Sequence, residues 1–264
     1  MPWALRPAVA GTVLRLDGTV AFQDTATTLV SVFTGSYKFV PNLAGIARIA
    51  FTHNAPDKTQ SATGLSNLLL GGTYTPELTP GLRLPLFFGV VLPVGMGGGN
   101  PAPSRPYSAQ VPGLNARSSM DNALFVVNYL VFTGGVGLAY STHGLTVHAE
   151  ATLLQLIRVK GDAYEKDTDR TNLTAGLHLG YAVAKPLTVS AELRYQRWLT
   201  TPGLVTADPT KRDQLTAGVG LRTRIDLVAD KIIMRPGLAY FHPVDDPMAK
   251  GGYKVLMLDV PVSF

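Results

Sequence analysis

Between Asn172 and Val183 apolar and polar residues alternate without a break. Leu173, Ala175, Leu177, Leu179, Tyr181 and Val183 make one row, and Asn172, Thr174, Gly176, His178 and Gly180 make the other. A repeat of two sends successive side chains to opposite faces of a strand, a pattern that no helix can gather on one side. The same alternation returns at Gln214–Leu227, with Leu215, Ala217, Val219, Leu221, Ile225 and Leu227 opposed to Thr216, Gly218, Gly220, Arg222, Arg224 and Asp226. It returns again at Leu187–Tyr195 and Leu145–Leu153. Read this way throughout, the chain predicts strands near 9–22, 27–39, 42–52, 66–75, 82–94, 128–140, 145–158, 171–184, 187–199, 213–227, 232–242 and 253–264. The second and third alternate least well.

Composition decides what lies outside the apolar rows. Charged residues are 16% of the chain and hydrophobic residues 46%, whereas soluble domains carry roughly a quarter charged residues. Much of the surface is therefore expected to face something other than water. The longest apolar runs, around Leu84–Val94 and Ala123–Phe132, are interrupted or too short for the ~20 residues of a spanning helix. A chain that spans lipid with strands must close them into a barrel, because every backbone polar group has to be paired. The expectation is an all-β fold: a transmembrane antiparallel up-and-down β-barrel of about twelve strands, one domain over residues 1–264.

The connections sort into two classes. Pro41, Pro76–Gly81, Ser141–Gly144, Ala184–Pro186 and Val228–Lys231 are short, while His53–Gly64, Gly95–Val127, Val159–Arg170, Thr200–Arg212 and Pro243–Gly252 are longer, with Gln23–Ala26 short on the same side as these. Short periplasmic turns opposite longer outer loops are the barrel pattern, and an even strand number puts both termini in the periplasm. Tyr37, Tyr74, Tyr140, Tyr181 and Phe264 each end a descending strand, which predicts an aromatic girdle at one membrane interface.

The chain contains no cysteine, which excludes thiol catalysis, disulfides and cysteine-ligated metals. Net charge is +5 with no dense Lys/Arg run interleaved with aromatics, so nucleic acid is not an expected partner. The Met1-Pro2-Trp3 start lacks the charged and apolar regions of a signal peptide; a mature or recombinant form is expected.

At the other end, Leu256, Leu258, Val260, Val262 and Phe264 alternate back from the terminus. This row resembles the C-terminal signal of bacterial outer-membrane proteins, which implies recognition by the barrel-assembly machinery. Gly64-Leu65-Ser66-Asn67-Leu68 through Thr79-Pro80-Gly81-Leu82 to Leu92-Pro93-Val94-Gly95 is similar to the outer-membrane family linked to meta-pathway phenol degradation. Here Ser66-Asn67 stands for Gly-Asp and Val94 for Thr. The resemblance implies uptake of hydrophobic or aromatic compounds and transfers no site residue.

The polar rows should line the lumen. They bring Arg15, Arg48, Arg83, Arg194, Arg222, Arg224 and Arg235 against Asp17, Glu150, Glu192 and Asp226, together with His178. An excess of inward Arg favours anions; the alternative is that these charges pair across strands and fill a small lumen. Residues 95–127, with Gly95-Met96-Gly97-Gly98-Gly99, form a long loop, read either as a constriction in the barrel mouth or as a disordered surface loop. Ser118–Val126 is expected to form a short helix with Ser119 or Asp121 near its start. The Gly run lacks the Gly-Lys-Ser/Thr of a phosphate loop. His148 and Glu150 share a face, but no further ligands converge, so hydrogen-bonded packing is preferred to acid–base or metal chemistry. Arg197 and Trp198 at the outer rim suit either lipopolysaccharide phosphates or simple interface anchoring.

The expected function is a non-enzymatic outer-membrane channel for passive passage of a small solute, anionic or aromatic, with no cofactor and no metal. Its partners are the solute, outer-membrane lipid with lipopolysaccharide, and the assembly machinery. The alternative is a non-conducting barrel that anchors or scaffolds an envelope complex through a protein partner the residues do not identify.

Overall fold

The computed structural model describes residues 3, 6–99, 104–163, 166–229 and 231–264; Pro101 and Pro103 of the long loop lie outside them. Twelve antiparallel strands close on themselves. They are β1 (Val13–Gln23), β2 (Ala26–Val40), β3 (Leu43–Pro56), β4 (Ala62–Leu65, Leu68–Tyr74 and Glu77–Thr79), β5 (Leu82–Arg83 and Leu86–Leu92) and β6 (Tyr129–Thr142). They continue as β7 (Leu145–Arg158), β8 (Asp169–Ala184), β9 (Leu187–Trp198), β10 (Asp213–Thr223 and Ile225–Val228), β11 (Ile232–Met234 and Gly237–Pro243) and β12 (Lys254–Ser263). Each strand pairs with its sequence neighbours, and β1 pairs with β12 from Val13↔Ser263 to Phe22↔Lys254. Closure leaves no sheet edge to present unpaired backbone to lipid.

The start of β1, the end of β12 and the tight connections share one end. There the chain reverses at 41–42, 80–81, 143–144, 185–186 and 229–231. His143 and Gly144 both take positive φ, +43° and +83°, the geometry that matches a two-residue turn to strand twist. Pro80-Gly81, with Gly81 at φ +80°, has the residue order of a type II turn. The opposite end carries the long connections, of which 93–128 is the largest.

The predicted outward rows face outward. Leu177, Leu179, Tyr181, Leu193, Val219, Leu221, Leu256 and Leu258 are all exposed, and the belt continues around the wall through Leu14, Leu29, Phe33, Phe51, Phe88, Val136 and Leu138. Tyr37, Tyr74, Tyr140, Tyr181 and Phe264 project outward near the turn-side end. An uninterrupted apolar exterior around a polar interior fits a lipid surround. Among the described residues no helix is long and apolar enough to cross a membrane.

The poor alternation of β2 and β3 has a cause. Val30, Val32, Ile46 and Ala50 are apolar yet point inward, and they belong to a buried cluster with Ala116, Leu124 and Phe125 of the long loop. The inner wall is apolar where another segment packs on it.

Candidate functional site: a lumen closed from both ends

The segment before β1 enters the lumen from the turn side. The Trp3 backbone N–H donates to Glu192 Oε2 at 2.8 Å, and its indole Nε1 donates to Ser190 Oγ at 3.1 Å. A Cβ at Gly220 or Gly237 would lie 2.7 or 2.4 Å from the Trp3 ring. Both positions therefore need glycine to leave a slot for the indole, and the Arg222 guanidinium lies 4.3 Å from the ring centroid. Farther along, the Arg6 backbone N–H donates to Glu150 Oε2 at 3.0 Å, its guanidinium pairs with the same carboxylate, and it lies over the Phe87 ring. The Ala10 N–H donates to Thr75 Oγ1. This is why β1 starts at Val13 rather than near residue 9: the preceding residues are used inside the barrel.

The long loop enters from the other end. Its helices are α1 (Arg105–Ser108), α2 (Gln110–Ala116) and α3 (Asn122–Phe125). The expected helix over 118–126 is reduced to the single turn of α3. Ser118 and Ser119 occupy the left-handed region at φ +55° and +53°, a conformation costly for non-glycine residues and common at constrained sites. Asp121 sits at the N-cap position of α3 but caps nothing. Its carboxylate instead accepts from Arg48 at 2.8 Å and from Arg117 Nε at 2.9 Å. Burial pushes the Asp121 carboxyl up, but Arg48 and Arg117 outweigh it and hold it well below the usual carboxylate range. Arg117, itself buried, also reaches Thr19 and faces Asp17 at 3.7 Å. Ser119 Oγ donates to Gln214, Asn122 Nδ2 to Asn172 and Asn115 Nδ2 to the Tyr253 hydroxyl.

The base of the loop is tied by Asn67, at the break in β4. Its Oδ1 accepts from the Gly95 N–H at 3.1 Å and its Nδ2 donates to the Val126 carbonyl at 3.0 Å. A Cβ on Gly95 would come within 3.0 Å of Val127 and Asn67. Farther along the glycine run, the Gly99 N–H donates to Asn128 Oδ1, and Gly98 lies against Lys160 and Asn128. The run serves close packing of the loop base.

The charged residues expected in the lumen divide by depth. Arg15 pairs with Asp17 and with Asp259, Arg194 with Glu192 at 2.9 Å, and Arg222 with Asp259 at 2.8 Å, all buried inside the barrel. Arg48 reaches the loop, Glu150 holds Arg6, and His178 faces Glu192 at 3.3 Å. Arg224 pairs with Asp226 and Arg83 with Glu77 near the turn-side rim, where both pairs are solvent-exposed or nearly so. Arg235 donates to Ser263 Oγ close to Arg222, which donates to the Arg235 carbonyl. Alternation assigns these residues a face but does not supply their partners. Arg6, Arg117, Asp121 and Asp259 belong to the same network; alternation does not mark the first three, which lie outside strands, and Asp259 stands inside the C-terminal motif. Leu256, Leu258, Val260, Val262 and Phe264 form the outward row of β12 and its end. Arg197, outward at the far rim, pairs with Asp213, while Trp198 is buried inside.

Neither a protein-family model nor a curated protein matches the sequence. Solved structures do match in fold. An outer-membrane channel from Pseudomonas putida F1 is similar at TM-score 0.64 and 12% identity, covering 98% of this chain and 97% of that one. The KdgM porin in complex with disordered oligogalacturonate is similar at TM-score 0.55 and 11% identity, over 95% of this chain and 99% of that one. The NanC porin is similar at TM-score 0.55 and 9% identity, over 95% and 98%. The fold is that of outer-membrane porin and channel barrels.

Proposed function

We propose that the protein is a passive channel of the bacterial outer membrane for a small solute, with its termini and tight turns facing the periplasm. One observation carries this reading: the lumen is closed by segments that are not part of the wall. Trp3 and Arg6 occupy one end and α2 with α3 the other, each held by hydrogen bonds and ion pairs. A barrel built only as a solid anchor needs no separate stoppers. The fold shared with porins and channels supports the same reading, and nothing in it calls for catalysis.

The finer reading is a preference for anions. Arg222, Arg224 and Arg235 gather near the turn-side mouth, with Asp226 and Asp259 as nearby carboxylates. An Arg excess at a constriction biases permeation toward anions. The KdgM neighbour is described with an oligogalacturonate, which is consistent with an acidic solute. An aromatic solute is the expectation attached to the phenol-pathway resemblance, and the slot around Trp3 is where a flat ring would fit. Reversal potentials under a salt gradient test the charge preference. Replacing Arg222 and Arg224 with Ser should move selectivity away from anions; unchanged selectivity in a conducting protein would make these arginines purely structural.

The second reading, a non-conducting scaffold, has its own support. Arg15, Arg48, Arg194 and Arg222 all have carboxylate partners, as a permanently filled lumen requires. Absence of any single-channel current, including after both stoppers are removed, would select it.

A further inference from the structure

The inner wall is not uniform around its circumference. On β2 to β5 and β12 the inward residues Val30, Val32, Ala50, Leu69, Val91 and Met257 are apolar and share a cluster with the loop. On the turn-side half of β6 to β10 they are small or polar, whereas Tyr129, Val131, Leu154, Leu156 and Trp198 toward the loop end are apolar and join the same cluster. Four successive ladders align Ala139, His148, His178, Glu192 and Gly218 in one ring segment, and Gly137, Glu150, Gly176, Arg194 and Thr216 in the next. The ladder pairs sit about 5 Å apart, so these side chains form one continuous patch, reached by Trp3 and Arg6 from one end and by Ser118 of the loop, through Arg194, from the other.

Two features single the patch out. First, two of its neutral polar side chains, those of His148 and Thr216, lack partners. His148 is fully buried with neither ring nitrogen hydrogen-bonded, and Thr216 Oγ1 in the adjoining ring is also unpartnered; Gln214 Nε2 and Thr133 Oγ1 are unpartnered on the same strands, outside the two rings. Setting aside His178 Nδ1, which faces Glu192, five of the seven such atoms on barrel strands among the described residues lie on β6 to β10. Leaving a buried donor or acceptor unmet is costly, so this clustering points to a group that is absent from the closed lumen. Second, its charges are already matched. Glu192 has Arg194 and the Trp3 N–H, and Glu150 has both the backbone and the guanidinium of Arg6. The imidazoles rest against positions with no side chain: a Cβ at Gly137 would lie 3.1 Å from His148 Nε2, and one at Gly180 would lie 3.2 Å from His178 Nε2. The rings therefore have glycine-lined ground beside them.

We propose that this β6–β10 patch is a solute-binding subsite for a hydroxylated, polyol-type molecule. The inference rests on the channel reading and adds the chemistry of what the lumen holds. A hydroxyl both donates and accepts, as the unpartnered imidazole and threonine groups of the patch require. It can also donate to Glu150 and Glu192 as the Arg6 and Trp3 N–H groups do. A hydroxylated acid would satisfy the patch and the arginines at the mouth together.

The experiment uses sorbitol as probe and Trp3 as reporter, in the full chain with Trp198→Phe so that Trp3 is its one tryptophan. Sorbitol should shift Trp3 emission toward that of a hydrated indole, and sorbitol-driven swelling of proteoliposomes should be measurable. Thr216→Val, which keeps shape, and His148→Phe should each weaken the sorbitol response by about three- to tenfold, the effect of losing one or two hydrogen bonds. A sorbitol response unaffected by both substitutions, or no emission response at all, overturns the subsite. A silent protein that passes neither ion nor sorbitol yet still shows the substitution-sensitive emission shift overturns the channel reading and leaves the subsite standing.

Discussion

At the scale of single residues, the direction in which a side chain points decides what a substitution does. Leu177 lies on the outward row of β8 and is 36% exposed. Leu177→Arg should destabilise the barrel by about 2–4 kcal/mol, the cost of a cation on the lipid face near midplane; denaturant titration after refolding into vesicles measures it. Asp121 is the inward counterpart, a carboxylate joining Arg48 of the wall to Arg117 of the loop. Asp121→Ala leaves buried guanidinium groups without it and should weaken loop docking by about 3–5 kcal/mol, read as faster hydrogen exchange over α2 and α3. The pH dependence follows from the depressed pKa. A group that is more acidic folded than unfolded contributes its full stability above the unfolded pKa, about 4 for Asp, and loses it as pH falls toward the folded value. Protection of the loop should therefore decline below about pH 4 in the native protein through this residue, and Asp121→Asn should remove that part of the decline.

At the scale of elements, the long loop behaves as an insert with two kinds of fastening. Its base is tied by Asn67 and Asn128, and its tip is held by side chains of β3, β8 and β10. Within it, Gly113 approaches β3 so closely that a Cβ would lie 2.6 Å from Thr52 Oγ1 and 2.8 Å from the Phe125 ring. Gly113→Val should cost about 1–3 kcal/mol through overpacking and lower the protection of α2 without altering the strand ladders. Replacing Ser104–Asn115 with a short flexible linker removes α1 and most of α2 while the barrel closure stays intact. The shortened protein should show larger or newly appearing single-channel currents. A protein as silent as before would assign the seal to Trp3 and Arg6 alone.

At the scale of the whole molecule, the ladder between β1 and β12 closes the barrel and joins the strands farthest apart in sequence. Phe264 ends this closing strand, with its N–H donating to the Thr12 carbonyl and its ring outward. Its exposed position makes it a handle for assembly rather than a large source of stability, since a half-exposed ring buries limited area. Deleting Phe264 should reduce the amount of folded barrel in cells far more than it shifts the denaturation midpoint of protein refolded in vitro. A normal cellular yield would remove the assembly role from the C-terminal row.

The strand number, the order of the connections and the two faces of β7 to β10 were readable from the residues alone, because a barrel wall separates two solvents and each strand records that difference at every second position. His148, Glu150, Glu192 and Arg194 were assigned inward for that reason, and they are inward. What alternation cannot record is a third phase inside the barrel. Where α2 and α3 dock, the inward positions Val30, Val32 and Ala50 turned apolar and blurred the very signal that located the other strands. Thr174, polar and inward, reads as hydrated, yet it is buried. The choice between an open pore and paired charges likewise depended on residues far apart in sequence, such as Trp3 with Glu192 and Arg48 with Asp121. Local periodicity reports which side of a wall a residue faces; only tertiary folding brings two distant segments into the same enclosed space and decides which charges meet there.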